Sequence, residues 1–143
     1  MKTKKRFTKR KMFIILAVVL SFAVPAGAIT SNIEDMLLYA QLQLENKSYF
    51  SDCCKSLKVI NASSEMYKTM GIRMDEIGMA WLIDNKNDII WHNGGTGNYN
   101  SYLGFNFETK TGVVVLSNLA PNYRIPATVL GVKLLLELKS AQF

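Results

Sequence analysis

Hydrophobic positions follow three different rhythms along the chain. Between residues 32 and 45, Ile33, Met36, Leu37, Ala40, Leu42 and Leu44 recur at three- and four-residue intervals, the spacing that gathers side chains on one side of a helix. Ser31 followed by Glu34 reads as a capping box, so an amphipathic helix is predicted from about Asn32 to Glu45. Residues 46–73 hold no period. Their polar cluster Asn61-Ala62-Ser63-Ser64 reads as loop, with one short helix near Ser64 to Met70. From Ile77 the pattern becomes short apolar runs, IGMAWLI, DIIWH, YNSYLGFNF and VVVLSN, separated by DNKN, a glycine-rich segment and ETKTG. Four antiparallel strands fit that spacing. Leu103, Phe105 and Phe107 alternate with Tyr102, Gly104 and Asn106, which predicts a sheet with one packed face. The unbroken run Val113 to Leu116 predicts a central strand covered on both faces. A last helix is expected from about Pro126 to Lys139, opened by a proline suited to a first helical turn. The order is α+β: an antiparallel β-sheet flanked by an N-terminal helix and a C-terminal helix. A chain of 143 residues is expected to build one core.

Charge changes the picture at the N-terminus only. Lys2, Lys4, Lys5, Arg6, Lys9, Arg10 and Lys11 precede every acidic residue, whereas the chain after Ala28 carries ten basic and eleven acidic residues. The pI near 9.4 is therefore a property of the leader, and the near-neutral body argues against a nucleic-acid surface. Behind the cationic stretch come an apolar run, Met12 to Val24, and the small-residue segment Pro25-Ala26-Gly27-Ala28. Residues 1–28 thus read as a signal peptide. A membrane anchor is the alternative, because the run can be extended from Met12 to Ile29. Either reading predicts an exported, extracytoplasmic body comprising residues 29–143, secreted or held to the membrane by an uncleaved leader.

Cys53 and Cys54 are adjacent, and a bridge between sequence neighbours is strained. With a single histidine and no C-x-x-C, no zinc ligand set is expected, nor any cofactor. Candidate chemistry concentrates in WHNGGTGNY, residues 91–99, where the chain's one histidine stands beside Gly94, Gly95 and Gly97. A phosphate cradle would need the glycines to open a helix, and a strand is predicted after them. On the loop alone, a glycine-rich hairpin connection using positive φ angles is the plainer reading.

The wider stretch GMAWLIDNKNDIIWHNGGTGNYNSYLGFNFETKTGVVVLSN, residues 78–118, resembles the C-terminal region of the serine β-lactamase and penicillin-binding protein family, in its class C and esterase-like branch. That family shows a G-x-x-W strand, then H-x-G-G-T-G-G, a strand like SYLGF, a K-T-G-V-V-V-L-S-N hairpin and a terminal helix. PAGAITSNIEDMLLYAQLQL also resembles the family's A-G-G-I-x-S-x-x-D-M segment. The resemblance implies a partial β-lactamase/transpeptidase-like fold. It implies that His92 stands for the Lys or His of the third active-site motif, which assists proton transfer and orients substrate. Asn93 would be the polar residue after it, Gly94 the glycine that keeps the cleft open, and Gly95 the donor of a backbone N–H to an oxyanion. Preorganised amides of that kind are worth several kcal/mol in acyl transfer. Asn98 departs from the family's glycine, mildly, since Asn tolerates left-handed conformations. Lys110-Thr111-Gly112 spells the third motif literally, but it falls in the turn between the LGFNF and VVVLSN strands.

The family's other motifs are missing. No serine has a lysine three residues later, so the S-x-x-K pair that would generate a nucleophile is not present. Tyr99-Asn100-Ser101 matches the family's Y-x-N only in letters, and G-x-S-x-G does not occur. Three readings follow: a truncated β-lactamase-related serine hydrolase, inactive alone; a non-catalytic exported domain binding an acyl or peptidoglycan-peptide ligand or a protein; or one half of a split hydrolase needing a complementing chain. Apolar faces left uncovered would favour self-association or marginal stability.

Overall fold

The computed structural model describes residues 30–45, 51–120 and 126–141. The predicted leader, residues 1–28, lies outside them. Among the described residues no helix is long and apolar enough to cross a membrane. From Asn32 onward the described residues form one compact unit whose centre is a six-stranded sheet in the order β1-β2-β3-β4-β5-β6, every neighbouring pair antiparallel. The fold is α+β as expected, an antiparallel sheet with helices at its N- and C-terminal sides.

Helix α1 spans Ile33–Leu44. Its cap is Asn32 rather than Ser31: Asn32 Oδ1 accepts the Asp35 N–H at 2.8 Å, and Asn32 Nδ2 donates to the Asp35 carboxylate at 3.0 Å. The capping box is thus displaced by one residue, and Glu34 and Asp35 lie in the first turn where the helix dipole favours acids. A 3-10 helix, Ser51–Cys54, and a two-residue strand β1, Lys58–Val59, interrupt the predicted loop, and helix α2, Glu65–Thr69, is the short helix expected near Ser64 to Met70. Ser64 Oγ caps α2 by accepting the Tyr67 N–H.

The run IGMAWLI is not one strand. It breaks into β2, Glu76–Ile77, and β3, Leu82–Asp84, which pair with each other around a turn at residues 78–81. Gly78 explains the break: a Cβ there would stand 2.6 Å from the Cys53 carbonyl oxygen and 2.8 Å from that of Lys55, so only glycine lets the turn reach the 3-10 helix. Met79 N–H then donates to Cys53 O at 2.8 Å. Strands β4, Ile89–Thr96, β5, Tyr99–Asn106, and β6, Thr111–Ser117, follow, and helix α3, Ala127–Ser140, ends the fold. Pro126 stands at the α3 cap, one position before the first turn.

Two corrections concern what covers the sheet. Strand β5 is packed on both faces, not one. Tyr102 lies with Ile72, Trp91, Val132 and Leu135 under α3, while Leu103 and Phe105 lie with Ala40, Cys54 and Trp81 on the α1 side. Strand β6 is the last in the sheet, not central. Its continuous apolar run reports cover on two faces, by α3 over Val113 and by α1 over Gly112, where a Cβ would meet Leu44 at 3.3 Å; it does not report sheet neighbours on both sides.

In the β5–β6 turn the left-handed residue is Lys110, φ 56°, while Gly112 is already in the strand. Lys139 Nζ donates to the Asp88 carboxylate at 2.8 Å and to Asn87 O at 3.1 Å, tying the end of α3 to the β3–β4 turn. Asp84 is buried in that turn. Burial raises its carboxyl above the ordinary range, opposed by bonds from Asn87 and the Lys86 N–H.

Both cysteines are free thiols. Cys54 is 6% exposed, and burial, with a smaller contribution from Cys53, pushes its thiol up to about 11. Because the thiolate is the reactive form, iodoacetamide at pH 8 is expected to alkylate the half-buried Cys53 at least about tenfold faster than Cys54 in the native protein. Peptide mass mapping against time reads this directly; equal native rates would contradict the burial.

Candidate functional site

The glycine-rich segment is strand, not loop. His92, Asn93, Gly94, Gly95 and Thr96 all belong to β4 and pair with Leu103, Tyr102, Ser101, Asn100 and Tyr99 in turn. Only Gly97 and Asn98 make the connection, and among the described residues positive φ occurs at Asn61, Gly71, Ala80, Asp88 and Lys110, none of them in this hairpin. Neither Gly94 nor Gly95 is present for a left-handed backbone. Gly94 has a spatial reason instead: a Cβ would come within 3.0 Å of Ser101 Oγ.

Period-two alternation separates the predicted residues. His92 and Gly94 lie on the α1 side of the sheet with Leu103 and Ser101, where His92 is exposed. Asn93 and Gly95 lie on the α3 side. There Asn93 Nδ2 donates to Thr128 Oγ1 at 2.9 Å, joining the strand to the first turn of α3. Asn93, Gly94 and Gly95 border a groove of about 290 Å³. Its other walls are Tyr67, Ile72, Met74, Leu82, Trp91, Asn100, Pro126, Thr128 and Val129. His92 is not among the groove's lining; it stands over the opposite face of the same strand.

The sheet edge between these faces carries the backbone chemistry. Strand β3 reaches along β4 only as far as Trp91, opposite Leu82, so residues 92–96 run on past its end. A two-residue turn makes Thr96 and Tyr99 a hydrogen-bonded pair, and bonded and non-bonded pairs then alternate. Gly95 and Asn93 fall in the non-bonded pairs, with Asn100 and Tyr102. Their N–H and C=O groups therefore point away from β5, to an edge that no described strand covers. The resulting arrangement is an imidazole on one face, backbone donors along the rim, and an apolar groove with Trp91 on the other face.

Two residues missed in the sequence hold this rim in place. Asn100 is 7% exposed; its Nδ2 donates to Leu119 O at 2.8 Å and its Oδ1 accepts the Ala127 N–H at 2.7 Å. It supplies the cap that Pro126 cannot, and it has a structural role that explains its place in the Tyr99-Asn100-Ser101 match. Trp91 is 2% exposed, stacks on Tyr102 at 5.8 Å, and donates Nε1–H to Arg73 O at 3.1 Å. No sequence motif marks Trp91, and Asn100 is marked only by the letters of the Tyr99-Asn100-Ser101 match. The other hollow, about 520 Å³, lies at the opposite end of the sheet among Asp84, Asp88, Phe107 and Glu108. Among the described residues no group of His, Cys, Asp and Glu could hold a metal ion.

A model of the family described as Beta-lactamase matches residues 3–133, most of the chain. The chain belongs to the Beta-lactamase family. No curated protein matches it. Membership accounts for the antiparallel sheet with α1 before it and α3 after it, and identifies the fold as one related to serine hydrolases. Within a Beta-lactamase chain, Lys110 and Thr111 at the β5–β6 turn lie at the far end of the sheet from the 92–96 rim, so that literal K-T-G is not part of this site.

Proposed function

We propose that this Beta-lactamase-family chain is a binding remnant of a serine hydrolase site: it holds an acyl or peptidoglycan-peptide ligand along the β4 rim and does not turn it over alone. The observation that carries the reading is the register that aims the Gly95 N–H outward, three residues along β4 from His92, in a sequence with no Ser-x-x-Lys. A ligand carbonyl at the rim would accept that N–H, and His92 would orient the ligand from the α1 side. Without an activated hydroxyl the donor lowers no acylation barrier; a nucleophile lost from such a unit leaves only residual rate over water. A complementing chain bearing the nucleophile would convert the same rim into half of an active site.

Saturable binding of cell-wall peptide fragments to the full chain is the expected result. Gly95→Pro, which deletes the outward donor, is expected to weaken that binding about tenfold, the worth of one well-placed hydrogen bond. Asn93→Ala should weaken it less, since it leaves the backbone donor in place. Titration calorimetry with a melting curve for each variant checks this; affinity unchanged in a folded Gly95→Pro protein would overturn the role given to the rim.

A further inference from the structure

Strand β6 is a second open edge, remote in the sheet order from the one that carries the candidate site. In the β5–β6 ladder, Asn106, Gly104, Tyr102 and Asn100 turn their backbone groups toward β6, because the intervening residues of β5 bond to β4. On β6 the residues bonded to β5 are therefore Thr111, Val113, Val115 and Ser117. Gly112, Val114 and Leu116 direct N–H and C=O outward, where no described strand lies. Natural edges are normally guarded by a charge, a proline or a bulge. The sequence TGVVVLS contains no charge and no proline.

The helices on either side extend this edge as apolar surface. On α3, Leu130, Leu134 and Leu138 recur every fourth residue and are 44%, 41% and 42% exposed. At 100° per residue they fall on the opposite flank of the helix from Val129 and Leu136. Val129 lines the groove beside Trp91, and Leu136 packs over Gly71, so that flank looks toward β4 and the leucine stripe looks past β6. On the other face, Ile33 and Leu37 of α1 are exposed as well.

We propose that two copies of this chain associate edge to edge through β6, antiparallel about a two-fold axis at Val114. The strand matches itself in that register. Val114 faces the partner's Val114, and Gly112 and Leu116 face the partner's Leu116 and Gly112. All three are pairs of the hydrogen-bonding kind, which allows six inter-strand bonds. Val113 and Val115 meet the partner's Val115 and Val113 on the α3 face, so valine covers valine. The two α3 helices then run antiparallel, leucine stripe toward leucine stripe, as an isologous interface requires. The body after Ala28, with ten basic and eleven acidic residues, offers no charge barrier to joining two copies.

The test combines sedimentation velocity with residue-resolved amide hydrogen exchange on the full chain over a range of concentrations. The expected result is a monomer–dimer equilibrium in which the amides of Gly112, Val114 and Leu116 exchange at least about tenfold more slowly in the dimer. The Val113 and Val115 amides, bonded to β5, stay protected throughout. Leu116→Lys and Leu134→Glu, both at exposed positions, should each yield monomer with fast exchange at the three outward amides. A chain monomeric at every concentration would overturn the proposal. So would association that leaves those amides unprotected, or that survives both variants. Protection of the three amides in the monomer would overturn it too, by showing that a segment of the same chain covers the edge.

Discussion

Gly131→Ala is expected to lose about 3 kcal/mol or more of stability, although the same change in an open helix gains close to 1 kcal/mol. A Cβ on Gly131 would overlap the ring of Tyr102, and the ring has no room to retreat. It stacks on Trp91 at 5.8 Å, and its hydroxyl end lies where a Cβ on Gly104 would be. Glycines at both ends thus form the slot that lets α3 approach the sheet. Among the described residues the buried Tyr102 hydroxyl has no hydrogen-bond partner, and burial pushes its titration strongly upward, so the residue is held there by its ring. For a domain of this size the midpoint of thermal unfolding should fall by roughly 10–20 °C. In a Tyr102→Leu background the added methyl has room, and the two changes together should cost less than their sum. Urea and thermal unfolding of the two single variants and the double variant measure this; a Gly131→Ala protein as stable as the parent would contradict the slot.

Asn100→Ala is expected to cost about 1–3 kcal/mol, because it strands the buried Ala127 N–H and also removes the donor to the carbonyl of the exposed Leu119. Leu119 O loses its donor and Ala127 N–H loses its acceptor, at the point where α3 begins. Since Pro126 makes no side-chain cap, nothing on the helix itself replaces the bond. The same change should loosen the wall of the groove beside Gly95, so weaker ligand binding should accompany lower stability. Chemical denaturation with calorimetry on the folded fraction checks both; a variant that unfolds at the parental denaturant midpoint would contradict the role given to Asn100.

Periodicity made the helices and the strand-rich C-terminal half legible, since both survive errors of a residue or two. The glycine segment reads as a loop because glycine signals turns far more often than strand interiors; only the two-residue connection at Gly97 and Asn98 draws Gly94 and Gly95 into β4. Once they are strand residues, alternation alone separates His92 from Asn93. Gly78 misled in the other direction, hidden inside an apolar run that reads as one strand until the Cys53 and Lys55 carbonyls are seen against it. The double cover of β5 and the bonds of Asn100 could not be read locally, because their partners on α1, α3 and at Leu119 come from segments distant in sequence.

The central claim is that an acyl-binding rim persists here without an attacking hydroxyl, and covalent labelling tests it most directly. Full-length chain incubated with a fluorescent penicillin, and separately with a fluorophosphonate probe, is expected to show no one-for-one covalent tag by denaturing electrophoresis and intact mass. Stoichiometric labelling of a serine in the folded chain, abolished by unfolding it first, would contradict the account.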